Sequence, residues 1–287
     1  MRIVTDSAAD MPVEEIEALG ITLAPLYISF PEGVVASSDI SIDKFYDRLE
    51  AMVPEIPTTS LPSGGEFAAI YREVAVQDPD ILSIHISSGL SGTFNSARVG
   101  ADEASHVARV TLVDTMTLSG GERFQVLGAA HALRKGWPLP AILERLDQIR
   151  QQSEIIYTLE TLEYLARGGR IGRVAALAGG ILKLKPVIHV DHADGKYSTV
   201  GRGRTIGQAL DVMMNHLERL YGPTPLLATV VHGRLPEAAA LLAAKLPATL
   251  KVDHVETIRV SPVLGVHTGP GLVGVGVVPS ALFADLL

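Results

Sequence analysis

The chain has 287 residues, no cysteine, and 24 basic against 32 acidic side chains for a net charge of −8. That length holds a sizeable core in two domains. The missing thiols exclude disulfides and cysteine-ligated metals, and the acidic balance argues against non-specific nucleic-acid binding.

The opening residues Met1–Asp6 lack the apolar region of a secretory signal, and no run has the length of a membrane span. A cytoplasmic protein is expected. Ile3–Thr5 reads as a short buried strand. Asp10-Met11-Pro12 looks like an N-cap with proline in the first turn, opening a helix to about Leu19. Ile21–Ile28 reads as one strand, and Asp39–Met52 has helical apolar spacing. The polar run 57–65 is taken as a loop that feeds a helix over 66–76. Ile81–Ile86 is a central strand, followed by the Ser/Gly/Thr turn 87–96 and a helix over 97–108. Val110–Val113 is a strand, and Ser119-Gly120-Gly121 opens a helix to about Arg134. Leu139–Gln152 is an amphipathic helix.

Strands alternating with helices at this spacing predict a mainly parallel sheet covered on both faces. Beyond residue 152 the texture changes, and a domain boundary is placed there, giving units 1–152 and 153–287. Ile155–Tyr157 is strand-like, Leu159–Arg167 a short helix, and Val174–Leu182 a second one. Pro186–Asp191 and Lys196–Arg204 form a hairpin through Asp194-Gly195. A helix (205–221), a strand (226–231), a helix (236–246) and strands at 252–260 and 272–278 follow. A hairpin inside an α/β pattern predicts a smaller mixed sheet with helices for the second unit.

Ligands of parallel sheets sit beyond the carboxyl ends of the strands, where the polar turns 5–10, 57–65, 87–96 and 114–121 all fall. Five hydroxyl residues and two glycines within 87–96 precede a helix N-terminus, an arrangement suited to a carboxylate or phosphate. Gly89-Leu90-Ser91-Gly92 lacks the second spaced glycine of a nucleophile elbow. His85, His232 and His267 are the histidines that a serine nucleophile would need to recruit in space. His189, Asp191, His192 and Asp194 crowd together, but strand alternation splits them between faces and Asp194-Gly195 reads as a turn; no metal site is expected. Basic residues stand out in the acidic chain at Arg170, Arg173, Lys183, Lys185, Arg202 and Arg204. His267-Thr268-Gly269-Pro270-Gly271 is a second Gly-rich loop.

Several of these motifs together resemble the DegV family of bacterial fatty-acid-binding proteins. They are Thr5-Asp6-Ser7, Thr59-Ser60-Leu61-Pro62-Ser63, Ser87-Ser88-Gly89-Leu90-Ser91-Gly92-Thr93, Asp114-Thr115 (where the family more often has Asp-Ser), Leu162–Leu165 with Gly168–Gly172, Leu184-Lys185-Pro186 and the 267–271 loop. Their order and spacing run along most of the chain. The resemblance implies two α/β domains with a fatty acid at the domain junction. It implies that Thr59 and Ser91 hold the carboxylate, with Arg170 and His267 near the head group and Ser60, Ser88, Gly92 and Thr93 in its vicinity. Some members are the acyl-carrying subunit of a fatty acid kinase and present the carboxylate to a separate ATP-binding subunit.

An aliphatic sequence with 5% aromatic residues suits a dry acyl tunnel, in which each buried methylene contributes about 0.8 kcal/mol. The expected protein binds a long-chain fatty acid, needs no cofactor and is not an enzyme by itself. Arg202 and Arg204, alternating on one strand, are the expected docking residues for a kinase. Two rivals stay open: a free-standing serine hydrolase or acyltransferase using Ser91 with His267, and a lipid carrier or sensor with no kinase partner.

Overall fold

The computed structural model describes residues 1–177 and 184–287. The first strand, β1 (Arg2–Asp6), ends where the Asp6 carboxylate accepts from the Ala8 N–H at 2.9 Å and caps a 3-10 turn over Ser7–Ala9. Asp10 then takes a left-handed backbone (φ 52), whereas an N-cap residue is extended. Asp10 is therefore no helix cap: α1 (Val13–Leu19) starts behind Pro12. The Asp10 carboxylate turns inward instead, accepting from Ser119 Oγ at 2.6 Å and the Ser261 N–H at 2.7 Å.

The single strand expected over 21–28 is two. Pro25, with no N–H to give a ladder, separates β2 (Thr22–Ala24) from β3 (Tyr27–Phe30). β2 lies parallel to β1, while β3 leaves that sheet and pairs antiparallel with β4 (Gly33–Ala36). After α2 (Ile42–Ala51), the expected loop contains β5 (Thr58–Ser60), which pairs with β3 so that Thr59 lies opposite Ile28. α3 (Gly64–Ala75) begins at a capping box between Ser63 and Glu66. Then come β6 (Asp80–His85), α4 (Thr93–Ala104), β7 (Arg109–Asp114), α5 (Gly120–Arg134) and α6 (Leu139–Gln152).

The first sheet is parallel, in the order β2-β1-β6-β7. Period-two alternation feeds both faces: Val4 and Ile81 pack with α3 residues, Ile3 and Leu82 with α5 and α6 residues.

The second sheet contains β8 (Glu154–Leu159), β9 (Lys185–Asp191), β10 (Lys196–Gly203), β11 (Leu226–His232), β12 (Val252–Arg259) and β13 (Leu272–Pro279). Its order is β10-β9-β8-β13-β11-β12, and it is mixed, with only β11 and β12 parallel. It is the wider sheet, not the smaller, with six strands against four. The returning β13 runs antiparallel between β8 and β11 and fuses the hairpin to the strand–helix–strand unit.

Leu159 closes β8 rather than opening a helix; α7 (Glu163–Arg167) starts four residues later, its first N–H bonded to Thr161 Oγ1. The described part of the helix expected over 174–182 is a 3-10 turn, Gly172–Leu177; the rest, with Lys183, lies outside the described residues. α8 (Ile206–Tyr221) and α9 (Pro236–Thr249) cover one face of the sheet. The short α10 (Pro262–Thr268) precedes β13.

The other face of this sheet meets the first unit. One apolar cluster joins Ala8, Leu26, Ile86 and Leu118 to Tyr157, Leu159, Ile188, Tyr197, Val263 and Leu264. Buried Arg123 of α5 spans the same junction, bonding Glu15 on one side and Glu256 on the other. Among the described residues the two sheets share no strand, and the changeover falls between β7 and β8.

Candidate functional site

A cavity of about 60 Å³ opens inside that junction cluster. Four predicted residues reach it from four separate elements: Thr59 from β5, Ser91 from the turn before α4, Arg170 from behind α7, and His267 from the last turn of α10. Ser60 joins them, and the rest of the wall is apolar, including Leu26, Ile86, Leu118, Tyr197 and Val263.

Thr59 Oγ1 lies 2.8 Å from His267 Nε2. Burial, and then the Arg170 guanidinium, push His267 down to about 4, so the ring is neutral at pH 7. With Nε2–H donating to Thr59, the threonine hydroxyl keeps its own proton for a ligand oxygen. Ser91 has the same support from behind: its oxygen is 2.8 Å from Thr93 Oγ1 and accepts from the Thr93 N–H at 3.3 Å. The site thus offers two hydroxyl donors and one fixed positive charge against an apolar wall. That combination suits a carboxylate attached to a hydrocarbon.

Glycine makes the His267 placement feasible. A Cβ at Gly168 would lie 2.2 Å from His267 Nδ1, so any other residue there displaces the ring. A parallel contact docks the second sheet on the serine turn. Ser87 Oγ donates to the Gly195 carbonyl at 2.8 Å, and a Cβ at Gly89 would be 2.4 Å from the Asp194 carbonyl.

The other predicted residues lie around this core. Thr93 is buried behind Ser91, Gly92 is exposed beside Leu61, and Ser88 is exposed with its N–H on Asp114 Oδ1 at 3.1 Å. None of the three lines the cavity. Arg202 on β10 and Arg204 just past it are exposed outside the cavity. Sequence reasoning missed the apolar wall: Leu26, Tyr197 and Val263 carry no local signal and meet only through tertiary packing.

A serine-hydrolase arrangement is not assembled among the described residues. Ser91 is bonded to Thr93, and His267 to Thr59, with Nδ1 left without a partner; activation needs a serine–histidine bond and an orienting group. His85 lies elsewhere, with Nδ1 on Asp6 Oδ2 at 3.0 Å and Nε2 on Ser83 Oγ at 2.7 Å. That Asp–His–Ser set is fully buried, and neither Ser83 nor His85 lines the cavity or the adjoining cleft.

A larger cleft of about 480 Å³ adjoins the cavity across the start of α10: Ser261 and Pro262 line the cleft, Val263 and Leu264 the cavity. Its wall includes Met11, Ile16, Leu23, Ile40 and Ile258. No described helix is long and apolar enough to cross a membrane.

A family model described as an uncharacterised protein of the DegV family matches residues 1–280. A DegV domain-containing protein of Deinococcus radiodurans is 38% identical over 262 residues, covering 91% of this chain and 90% of that protein. Another from Clostridium perfringens is 32% identical over 280 residues, covering 96% and 97%. Among solved structures, a DegV family protein of Thermus thermophilus, described as fatty-acid binding, superposes with a TM-score of 0.90 at 33% identity, covering 97% of this chain and 100% of that one. A stearic-acid-binding protein of Eubacterium ventriosum superposes at 0.87 with 28% identity, covering 97% and 98%.

Proposed function

The chain belongs to the DegV family, and from that premise we propose that it binds a long-chain fatty acid whose carboxylate is held by Thr59 and Ser91. One observation carries the reading: Thr59, Ser91, Arg170 and His267 converge from four elements on one cavity in the apolar junction. The solved relatives named for fatty-acid binding support it. Each hydroxyl bond to the carboxylate contributes about 1.5–3 kcal/mol and fixes orientation, while the acyl chain supplies most of the affinity at about 0.8 kcal/mol per methylene.

The head-group cavity is far too small for a long tail, so the tail takes the route through the Leu26–Val263 wall toward the adjoining cleft. A buried channel then forms on binding by movement of these side chains. The units 1–152 and 153–287 form the two walls of the site.

The finer role we propose is presentation of the carboxylate to a separate kinase subunit that uses ATP to make acyl phosphate. Two hydroxyls, backed by Thr93 and by a neutral imidazole, hold an anion through single hydrogen bonds, while Arg170, with its Nη1 donating to the Gly168 carbonyl at 2.7 Å, adds charge beside it; the oxygens stay accessible to a phosphoryl donor. Arg202 and Arg204 lie exposed at the end of β10, whose Tyr197 lines the cavity.

Native mass spectrometry of the protein purified from a bacterial host tests the binding claim. An added mass equal to a fatty acid is expected, and it should disappear on delipidation. Protein of bare chain mass that also fails to take up added oleate would overturn the reading.

A further inference from the structure

On the opposite face of the second sheet from the cavity, histidines from three places converge on one carboxylate. Glu154 opens β8 with its side chain 6% exposed, on the same face as Ile156, which packs with α8 and α9 residues. Ile156 pairs across to His189 of β9, so alternation brings His189 onto that face. α8 contributes His216 and the turn after β9 contributes His192.

His189 Nδ1 is 2.7 Å from Glu154 Oε1, His216 Nε2 is 3.9 Å from the same oxygen, and His192 Nε2 is 3.7 Å from Oε2. Only the first of these is a hydrogen bond by distance. His216 Nε2 is buried and has no hydrogen-bond partner, a state that costs stability unless something occupies the nitrogen. One ligating atom each from Glu154, His189 and His216 falls within a 4.8 Å span. The neighbouring Asp191 and Asp194 are taken up by Arg173, at 3.3 and 3.0 Å.

We propose that Glu154, His189 and His216, with His192 as the fourth ligand, bind a zinc-type divalent cation. A tetrahedral ion with bonds of about 2.0–2.1 Å sets its ligand atoms about 3.3 Å apart, between the 2.7 and 3.9 Å distances present. Modest side-chain rotation closes the set of three, and the exposed ring of His192, 3.7 Å from the other carboxylate oxygen but outside that set, swings inward to complete it. Three imidazoles and one carboxylate suit zinc, cobalt or nickel, whereas calcium and magnesium take oxygen ligands. Four protein ligands leave no open position, so the ion's role is structural: it clips α8 to β8 and β9. Sequence proximity grouped His189 and His192 with Asp191 and Asp194 and led to the expectation of no metal site; the carboxylate comes from 35 residues before His189, and His216 from the next helix.

The test uses the full chain without a histidine tag, stripped with chelator and titrated calorimetrically with zinc chloride, with visible absorption of the cobalt form as a second readout. One ion per chain is expected, with tetrahedral cobalt bands and a raised melting temperature in zinc. His216→Gln and His192→Gln should each weaken zinc binding about tenfold or more, while exposed His254→Gln leaves it unchanged. The His192 variant alters an exposed turn, so it keeps the test decisive if the His216 variant folds poorly. Absence of stoichiometric uptake, which leaves a metal-free hydrogen-bonded cluster, would overturn the proposal. So would uptake that persists unchanged in either His192→Gln or His216→Gln. Fatty-acid binding is measured in the same samples and is expected unchanged.

Discussion

Replacing the two cavity hydroxyls tests how the head group is held. Thr59→Val keeps the β-branched shape that suits β5 and removes only the oxygen that sits 2.8 Å from His267 Nε2. Ser91→Ala removes the oxygen that Thr93 supports. A hydrogen bond to a charged group contributes about 1.5–3 kcal/mol, so each single variant should weaken fatty-acid binding about 10- to 150-fold. The two hydroxyls serve one anion, and neighbouring effects do not add, so the double variant should lose more than either single but less than the product. The native-state cost is about 1 kcal/mol per lost neutral bond, which leaves the fold intact. Displacement of a fluorescent fatty acid from delipidated protein reads the affinities, and thermal melts without ligand confirm folding. A folded double variant whose affinity stays within about threefold of the parent would refute the head-group assignment.

Three further outcomes follow from the same geometry. A histidine NMR titration should place His267 near 4 rather than at the ordinary 6.5. Because the folded value is depressed, the stability this ring contributes is complete above 6.5 and is lost as pH falls through 4; a midpoint near 6.5 would mean that the ring is not buried as described. Arg123→Met should destabilise the protein by about 3 kcal/mol by stranding Glu15 and Glu256 at the junction. That is the low end for a buried pair, because both acids are partly exposed; chemical denaturation within about 0.5 kcal/mol of the parent would contradict it. Arg202→Ala with Arg204→Ala should slow acyl-phosphate formation with a cognate kinase, more so at low salt, without changing fatty-acid affinity; unchanged kinetics would return both arginines to plain surface charge.

Four of the residues that line the cavity were legible because their signals are local: a Thr-Ser loop before α3, a serine turn opening α4, a Gly-Gly-Arg junction after α7 and a Gly-rich loop that starts at His267. The hairpin at Asp194-Gly195 was legible for the same reason, since Gly195 supplies the positive φ of the turn. What failed depends on distant partners. Thr58–Ser60 is a short polar run with no apolar alternation, and it becomes a strand only because β3 offers an edge; Pro25 frees β3 to be that edge. Asp10 looked like a cap because its role is set by Ser119 and Ser261, more than a hundred residues away. The width of the second sheet turned on where β13 inserts, which no spacing encodes. The seven-residue α10, apolar from Pro262 to Val266, is too short to show a period, yet it carries His267 and Val263 into the cavity.

A crystal structure of the protein with stearate tests the central claim most directly. The account predicts carboxylate oxygens within hydrogen-bond distance of Thr59 Oγ1 and Ser91 Oγ, with the acyl chain passing between Leu26 and Val263. A carboxylate bound away from both hydroxyls, or a chain lying in solvent, would contradict it.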